Sequence, residues 1–71
     1  MQREPVRSSH IKSIGYSPSQ QMLEVEFKDN KVYQYYGVPK KEYIAMMEAW
    51  SHGRYLDKHI KPKYKYARVK N

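Results

Sequence analysis

The fold is decided by the stretch from Met22 to Tyr36, which reads MLEVEFKDNKVYQYY. In its first half, Leu23, Val25 and Phe27 alternate with charged residues, and a period of two predicts a β-strand with one apolar face. Turn residues follow at positions 28–30, and a second run rich in Val and Tyr comes next. Two such runs joined by a short polar loop predict a β-hairpin.

The length of the loop decides how the two strands pair. A two-residue loop pairs Val25 with Gln34, whereas a three-residue loop at 28–30 pairs Val25 with Tyr33. The second register needs Asn30 in a left-handed conformation, which Asn tolerates better than most residues. Because it collects every large apolar side chain on one face, it is the register we predict.

A further strand is predicted before the hairpin. Its β-branched residues Ile11 and Ile14 lie three apart, so a regular strand would place them on opposite faces. A β-bulge near Ser13 would bring both side chains inward. This segment and the hairpin together predict a three-stranded antiparallel meander.

Two helices are predicted after the strands. Pro39 is placed as the first residue of the first helix, where its missing N–H is not needed. Four residues then recur at spacings of three and four and form one apolar stripe, namely Tyr43, Met46, Met47 and Trp50. Gly53 is predicted to end this helix, and residues 54–60 form a second, shorter one.

The order of elements predicts an α+β domain, in which a three-stranded antiparallel β-meander is followed by an α-helix packed on one face and a second short C-terminal helix. Residues 9–66 are expected to form this single domain, preceded by a flexible N-terminal arm (1–8) and followed by a basic C-terminal tail (67–71). Basic and aromatic residues alternate at 63–66, and this alternation fits either an edge strand or an extended arm. A chain of 71 residues leaves no room for a second domain.

Composition narrows the class of protein. The chain has no cysteine and no apolar run near the ~20 residues of a membrane helix, so we expect a cytoplasmic protein without a membrane segment. Its formal charge is +7, and the excess is concentrated at the C-terminal end. Residues 54–71 hold seven basic side chains and one acidic one, while residues 1–53 hold seven and six. A polyanionic partner is therefore expected to bind the C-terminal segment.

An ordered series of residues runs through most of the chain: Ser9, Ile11, Ile14, Gly15, Tyr16, Leu23, Val25, Phe27, Tyr33, Tyr35, Val38, Pro39, Ala49, Ser51, Gly53, Tyr55, Ile60 and Tyr64. In this series the chain resembles the KTSC domain, a family named for its place at the C-terminal end of some lysyl-tRNA synthetases and also found as a stand-alone small protein. The resemblance implies a single-domain bacterial or phage protein and suggests RNA binding. In this sequence the family's hairpin glycine is replaced by Asn30, and Ser17 stands where an acidic residue often follows Gly-Tyr.

No catalytic or metal site is predicted. Ser51, His52 and Asp57 are the residue types of a nucleophile, a base and an orienting acid. Adjacent Ser and His side chains at a helix terminus point in different directions, however, and Ser and Gly at that place are typical of helix capping and termination. His10, His52 and His59 show no metal-ligand spacing and have no cysteine beside them. We expect a protein that is not an enzyme and has no cofactor.

The main functional hypothesis is an RNA-binding module whose partner is RNA or another polyanion. Cations neutralise phosphates, and interleaved rings stack on unpaired bases. The predicted binding residues are Arg54, Lys58, Lys61, Lys63, Lys65, Arg68, Tyr64 and Tyr66, joined by Tyr36 on the open face of the sheet. Tyr33 and Tyr35 are predicted to be core residues, because they share the apolar face of the hairpin, which must receive the first helix. The opposite, open face carries Glu24 and Glu26, which would repel phosphates.

The alternative hypothesis is a protein-interaction or self-associating module, of a kind that a phage or prophage can encode, with no role in nucleic-acid binding. A domain this small can obtain missing core from a protein partner or a second copy, and Met46, Met47 and Trp50 suit such an interface. An exposed strand edge could also pair with another chain.

Overall fold

A computed structural model describes residues 2–70 of the chain, and Met1 and Asn71, the ends of the predicted arm and tail, lie outside them. The backbone forms one five-stranded antiparallel sheet whose strands are neighbours in chain order. The strands are β1 (Glu4–Pro5), β2 (Ile11–Ser17), β3 (Met22–Phe27), β4 (Val32–Tyr36) and β5 (Lys65–Lys70). The α+β class is confirmed, and the sheet has two more strands than we predicted.

The hairpin between β3 and β4 has the predicted register. Val25 lies opposite Tyr33 and Leu23 lies opposite Tyr35. Asn30 adopts a left-handed conformation with φ of 71°, as the three-residue loop requires. The alternation of the sequence therefore determined the pairing, because any other register would have turned apolar side chains toward water.

The predicted bulge in β2 is also present. The pairing of β2 with β3 shifts between Ile11 and Ser13, so that Ile11 faces Phe27 and Ile14 faces Val25. Both isoleucines are completely buried. One extra residue in β2 thus brings two side chains that lie three apart to the same inner face.

Two helical segments cover part of the inner face of the sheet. The first, α1 (Lys40–Glu48), begins after Pro39, which is the N-cap residue with ψ of 155° rather than the first helical residue. The second, α2 (His52–Tyr55), continues directly as a π-helical turn (Leu56–Ile60). Gly53 lies inside α2 and does not end a helix, since Ser51 already begins this segment by accepting a hydrogen bond from the Arg54 N–H.

The core lies between the helices and the inner face of the sheet. It contains Ile11, Ile14, Leu23, Val25, Tyr35, Val38, Met46, Leu56 and Ile60. Tyr16 and Tyr43 close one side of it, with their rings stacked at 4.7 Å between centroids. The Tyr16 hydroxyl also donates to the Val38 carbonyl at 2.6 Å, which holds the strand-to-helix connection against the sheet.

Trp50 does not belong to the apolar stripe that the helical spacing predicted. Helix α1 ends at Glu48, and Ala49 is extended, with ψ of 148°. The chain leaves the helical path before it reaches Trp50, whose side chain is fully exposed. Met46 is buried as predicted, and Met47 packs against the edge of the core.

The predicted flexible arm forms part of the sheet and covers its outer face. Strand β1 pairs with β2, with Glu4 opposite Ile14. Arg3 forms an ion pair with Glu24 and lies 3.6 Å from Glu26. Glu24 is consequently buried rather than exposed on an open face. Edge pairing by β1 and charge pairing by Arg3 together order the arm.

The predicted basic tail is likewise a strand. Residues 67–70 lie within β5, which pairs along β4 with Tyr66 opposite Tyr35 and Arg68 opposite Tyr33. Opposite residues share a face of the sheet, so Tyr66 and Arg68 project to the inner face and Lys65 to the outer one. The alternation of the tail thus divides its side chains between two surfaces.

Candidate nucleic-acid interface

Four aromatic side chains form the floor of a cleft at the end of the sheet that the helices leave uncovered. The cleft, called here the aromatic cleft, has a volume of about 630 Å³ and is floored by Phe27, Tyr33, Tyr35 and Tyr66. Phe27 meets Tyr33 edge to face at 5.6 Å. The centre of the Tyr66 ring lies 5.7 Å from the ring centres of both Tyr33 and Tyr35. These contacts make one continuous aromatic surface.

The rings differ in how far they reach into solvent. Tyr35 is 1 % exposed and belongs to the core, whereas Tyr66 is 58 % exposed. Tyr33 is half-buried, so the prediction of a core residue holds for Tyr35 and only partly for Tyr33. The helices reach Tyr35 but stop short of its neighbours. A ring with one free face can stack on an unpaired base.

The rim of the aromatic cleft is basic. Lys28 and Lys31 come from the hairpin loop, and Lys61 follows the π-helical turn. The Lys61 N–H donates to the Leu56 carbonyl at 2.8 Å, the i to i−5 bond of that turn, and this places its ammonium group 5.8 Å from the centre of the Phe27 ring. Lys61 also lies 2.9 Å from Asp57. Because exposed ion pairs contribute little, a phosphate can compete for this ammonium.

The floor of the cleft adds no negative charge near neutral pH. Burial chiefly, together with the nearby groups of Tyr33, Tyr66 and Asp57, raises the pKa of Tyr35 to about 12. The phenol therefore stays protonated and does not repel a phosphate. Asp29 is the acidic member of the rim, and its carboxylate lies 3.6 Å from the Lys31 ammonium.

A second cleft continues from the first. It has a volume of about 660 Å³ and shares Ser9, His10, Phe27 and Lys61 with the aromatic cleft. Its far wall carries Arg7, Arg54 and the exposed Trp50. We call it the tryptophan cleft. The two clefts are adjacent because the segment before β2 and the side chains of Phe27 and Lys61 form a wall common to both.

A carboxylate clasp holds β5 in place. The side chain of Glu42, on α1, accepts hydrogen bonds from the hydroxyls of Tyr55 and Tyr64, the latter at 2.9 Å. Lys63 lies 3.7 Å from the same carboxylate. The hydrogen bond from Tyr55, then that from Tyr64 and the charge of Lys63, lower the pKa of Glu42 against the opposing effect of burial. The clasp joins α1 to α2 and to the chain just before β5.

The predicted binding residues do not share one surface. Lys61 and Tyr66 line the aromatic cleft, and Arg68 lies beside it on the inner face. Lys65 and Tyr36 share the outer face of the sheet. Of the others, Lys63 and Tyr64 belong to the clasp, Arg54 lines the tryptophan cleft and Lys58 is exposed on the π-helical turn.

The candidate catalytic residues do not form a triad. Ser51 caps α2 by accepting from the Arg54 N–H at 3.2 Å, His52 Nδ1 bonds to the Met46 carbonyl at 2.9 Å, and Asp57 pairs with Lys61. In the part of the chain from residue 2 to residue 70, no three His, Asp or Glu side chains are grouped as metal ligands would be. None of the helices described there is long and apolar enough to cross a membrane.

Comparison with known proteins identifies the family. The family model of the KTSC domain matches residues 7–64. The chain belongs to the KTSC domain family. The crystal structure of a KTSC domain protein from Yersinia pestis superimposes on this KTSC domain with a TM-score of 0.92, at 46 % identity over 96 % of each chain. The resemblance that we inferred from the sequence is confirmed.

The relatives of this KTSC domain have two kinds of architecture. A protein of Stutzerimonas stutzeri is 43 % identical over 97 % of the chain, and the match spans 99 % of that protein. A lysine–tRNA ligase of Nostoc is 36 % identical over 86 % of the chain, but the match spans 11 % of the ligase. The domain thus occurs as a small protein and as a minor part of a tRNA ligase.

Several residues of the two clefts were not among those that we predicted for this KTSC domain. Phe27 and Tyr33 were assigned to the core because alternation placed them on the inner face, and Arg7 was assigned to a flexible arm. The excess of aromatic over aliphatic residues in β4 is a signal that could have indicated a surface role. How far the helices extend over the sheet has no comparable signal in the sequence.

Proposed function

We propose that this KTSC domain is a non-enzymatic module that binds single-stranded RNA in the aromatic cleft. The observation that carries the proposal is the exposed ring of Tyr66, which lies beside Tyr33 on an aromatic floor and within a rim of lysines. Stacking on such rings and neutralisation of phosphates by such cations are the two interactions by which proteins hold unpaired nucleic acid.

RNA, rather than DNA, is proposed because similar domains occur within lysine–tRNA ligases. The relative of this domain in Nostoc is part of a lysine–tRNA ligase, an enzyme that acts on a tRNA. Double-stranded RNA is an unsuitable ligand, because its bases are already paired and cannot reach the rings. The expected ligand is an unpaired loop, end or linker.

Binding would be measured by fluorescence anisotropy with a labelled single-stranded RNA, the DNA of the same sequence and the RNA duplex, each at two salt concentrations. We expect the single-stranded RNA to bind most tightly. Tyr66→Ala removes an exposed ring and should weaken binding about 10-fold, within the ~1–3 kcal/mol that one stacked base contributes. Tyr36→Ala removes a ring of similar exposure from the outer face and serves as the control.

The contribution of the lysine rim to RNA binding is tested by changing two lysines on neighbouring turns, one inside the aromatic cleft and one outside it. Lys61→Gln should lower the slope of log affinity against log salt by about 0.7, the value for one phosphate contact on a single strand. Lys58→Gln makes the same change in charge outside the cleft. Equal losses in both variants, or a Tyr66→Ala variant that binds like the unaltered protein, would show that the aromatic cleft is not the binding site.

A second candidate function is self-association through β5. This strand lies at the edge of the sheet, so its outer backbone groups have no strand partner within residues 2–70. Of the three predicted interface residues, Trp50 is exposed and Met46 is buried. Sedimentation over a range of concentrations tests this function, and a mass that stays at one chain throughout would refute it.

A further inference from the structure

Trp50 is a large apolar side chain that makes no contribution to the fold. It is the single tryptophan of the sequence and is fully exposed. A tryptophan in contact with the core would be partly shielded, and an isolated indole in water gains nothing from its position. Trp50 is also one of the residues at the margin of the tryptophan cleft. Both features are typical of a side chain whose partner is another molecule.

The charge around Trp50 indicates the chemistry of that partner. Arg7 and Arg54 line the same cleft, and Lys61 lies in the wall shared with the aromatic cleft. Neither arginine forms an ion pair within the described residues. Asp57 is the acidic residue of the lining, and Lys61 already pairs with it. The tryptophan cleft therefore favours an anionic ligand with a flat apolar part.

The two clefts together form one path. They are contiguous through Ser9, His10, Phe27 and Lys61, and each cleft also has an exposed ring of its own, Tyr66 in one and Trp50 in the other. Lys61 is a cation in the wall common to both clefts, where a sugar–phosphate backbone that runs from one ring to the other would pass. A single nucleotide is too short to contact both rings.

We propose that a single RNA strand of several nucleotides occupies both clefts, with one base stacked on Trp50 and another on Tyr66. This inference rests on the proposed function and extends it from one cleft to a continuous site. The ligand is thereby assigned as a strand of at least about four unpaired nucleotides, the low end of the range for a single small domain. Shorter RNA is held by the aromatic cleft alone.

The test compares oligouridylates of about 3 and about 8 nucleotides, lengths on either side of the proposed site size. Trp50→Ala should leave the affinity for the short RNA unchanged and weaken binding of the long RNA about 10-fold, the loss expected for one stacked base. Tyr66→Ala should weaken binding of both. Ile44→Ala, an exposed apolar residue of α1 outside both clefts, is the control for loss of surface area.

Because Trp50 is the single tryptophan, its fluorescence reports on the second cleft directly. The long RNA should quench the emission of the unaltered protein, and the short RNA should not. Arg54→Gln should weaken binding of the long RNA more than Lys58→Gln does, although both changes remove one exposed cation from the same helical segment. Since Trp50 is fully exposed, Trp50→Ala should also melt at the temperature of the unaltered protein.

The possible results separate the two proposals. If Tyr66→Ala weakens binding but Trp50→Ala binds the long RNA like the unaltered protein, the aromatic cleft is the whole site and the extended path is refuted. If the long RNA fails to quench Trp50 while it binds, the same conclusion follows. If the unaltered protein binds neither RNA, the proposed function fails and the extended path fails with it.

Discussion

The carboxylate clasp at Glu42 is expected to contribute a large part of the free energy of unfolding of this domain, and the Glu42→Ala variant tests this. Glu42→Ala removes two hydrogen bonds from tyrosine hydroxyls to a carboxylate that is 13 % exposed. Each such bond to a charged group contributes about 1.5–3 kcal/mol. The two phenols are half-buried and can partly regain water, so we expect a total loss of about 3 kcal/mol. A domain of this length has about 4–10 kcal/mol of stability, so the loss is a large fraction.

The loss should be visible in both thermal and chemical unfolding. At about 4–8 °C per kcal/mol for small domains, Glu42→Ala should lower Tm by about 12–24 °C. Glu48→Ala, at the exposed end of the same helix, is the matched control and should change stability by less than about 0.5 kcal/mol. Circular dichroism during urea titration gives the free energy of unfolding for each variant.

A double-mutant cycle isolates the hydrogen bonds from the effect of the charge on the helix. In a protein that already carries Tyr55→Phe and Tyr64→Phe, Glu42→Ala should destabilise by about 1 kcal/mol, which is the dipole contribution of a first-turn carboxylate. If Glu42→Ala lowers the free energy of unfolding equally in the unaltered protein and in the Tyr-to-Phe protein, the two hydrogen bonds of the clasp do not stabilise the fold. The same conclusion follows if the Glu42→Ala variant is as stable as Glu48→Ala.

The remaining predictions concern pH, the N-terminal arm and the hairpin. The pKa values of Tyr55 and Tyr64 are both raised to about 12 from 10.0, chiefly by the Glu42 hydrogen bond for Tyr55 and by burial for Tyr64. The contribution of these two tyrosines to the free energy of unfolding is therefore fully present below pH 10 and is lost as the pH rises toward 12. In this range the unfolded chain releases phenol protons that the folded chain keeps. Urea titrations across this range should show a shallower loss when both residues are Phe. Arg3→Ala leaves the buried carboxylate of Glu24 with Gln34 as its remaining partner and should cost about 1–3 kcal/mol, whereas equal stability to the unaltered protein would mean that the arm does not hold the outer face. Asn30→Ala puts a residue that tolerates the left-handed region less well than Asn at φ of 71°, so it should lower the free energy of unfolding by about 1 kcal/mol. An unchanged Tm would contradict the left-handed turn.

The basic C-terminal segment does not act as one surface. Its side chains were predicted to bind together because they are close in sequence, but β5 turns Tyr66 and Lys65 to opposite faces. Lys63 and Tyr64 are used by the Glu42 clasp, which holds the chain at the entry to β5. Part of the segment therefore positions the strand, and a different part, Tyr66 with Lys61, lines the aromatic cleft.

The elements whose apolar pattern is strong could be predicted from the sequence. The register of the central hairpin, the left-handed Asn30 and the bulge at Ser13 all follow from one requirement, that large apolar side chains share a face. The two edge strands have little apolar pattern. Glu4–Pro5 is too short to show a period and was missed, whereas the alternation that leads into Lys65–Lys70 left an edge strand and an extended arm equally open.

What the sequence determined by itself is the family, the central strands and their register. The ordered series of residues identified a KTSC domain, and the period of the central strands showed which side of them would be buried. The tertiary structure decided the aromatic cleft, because Phe27, Lys61 and Tyr66 come together from three separate parts of the chain. A periodic pattern records which face of a segment avoids water, but not how much of that face another segment covers. The early end of α1, which exposes Trp50, and the limited reach of the helices over the sheet are results of packing the whole chain.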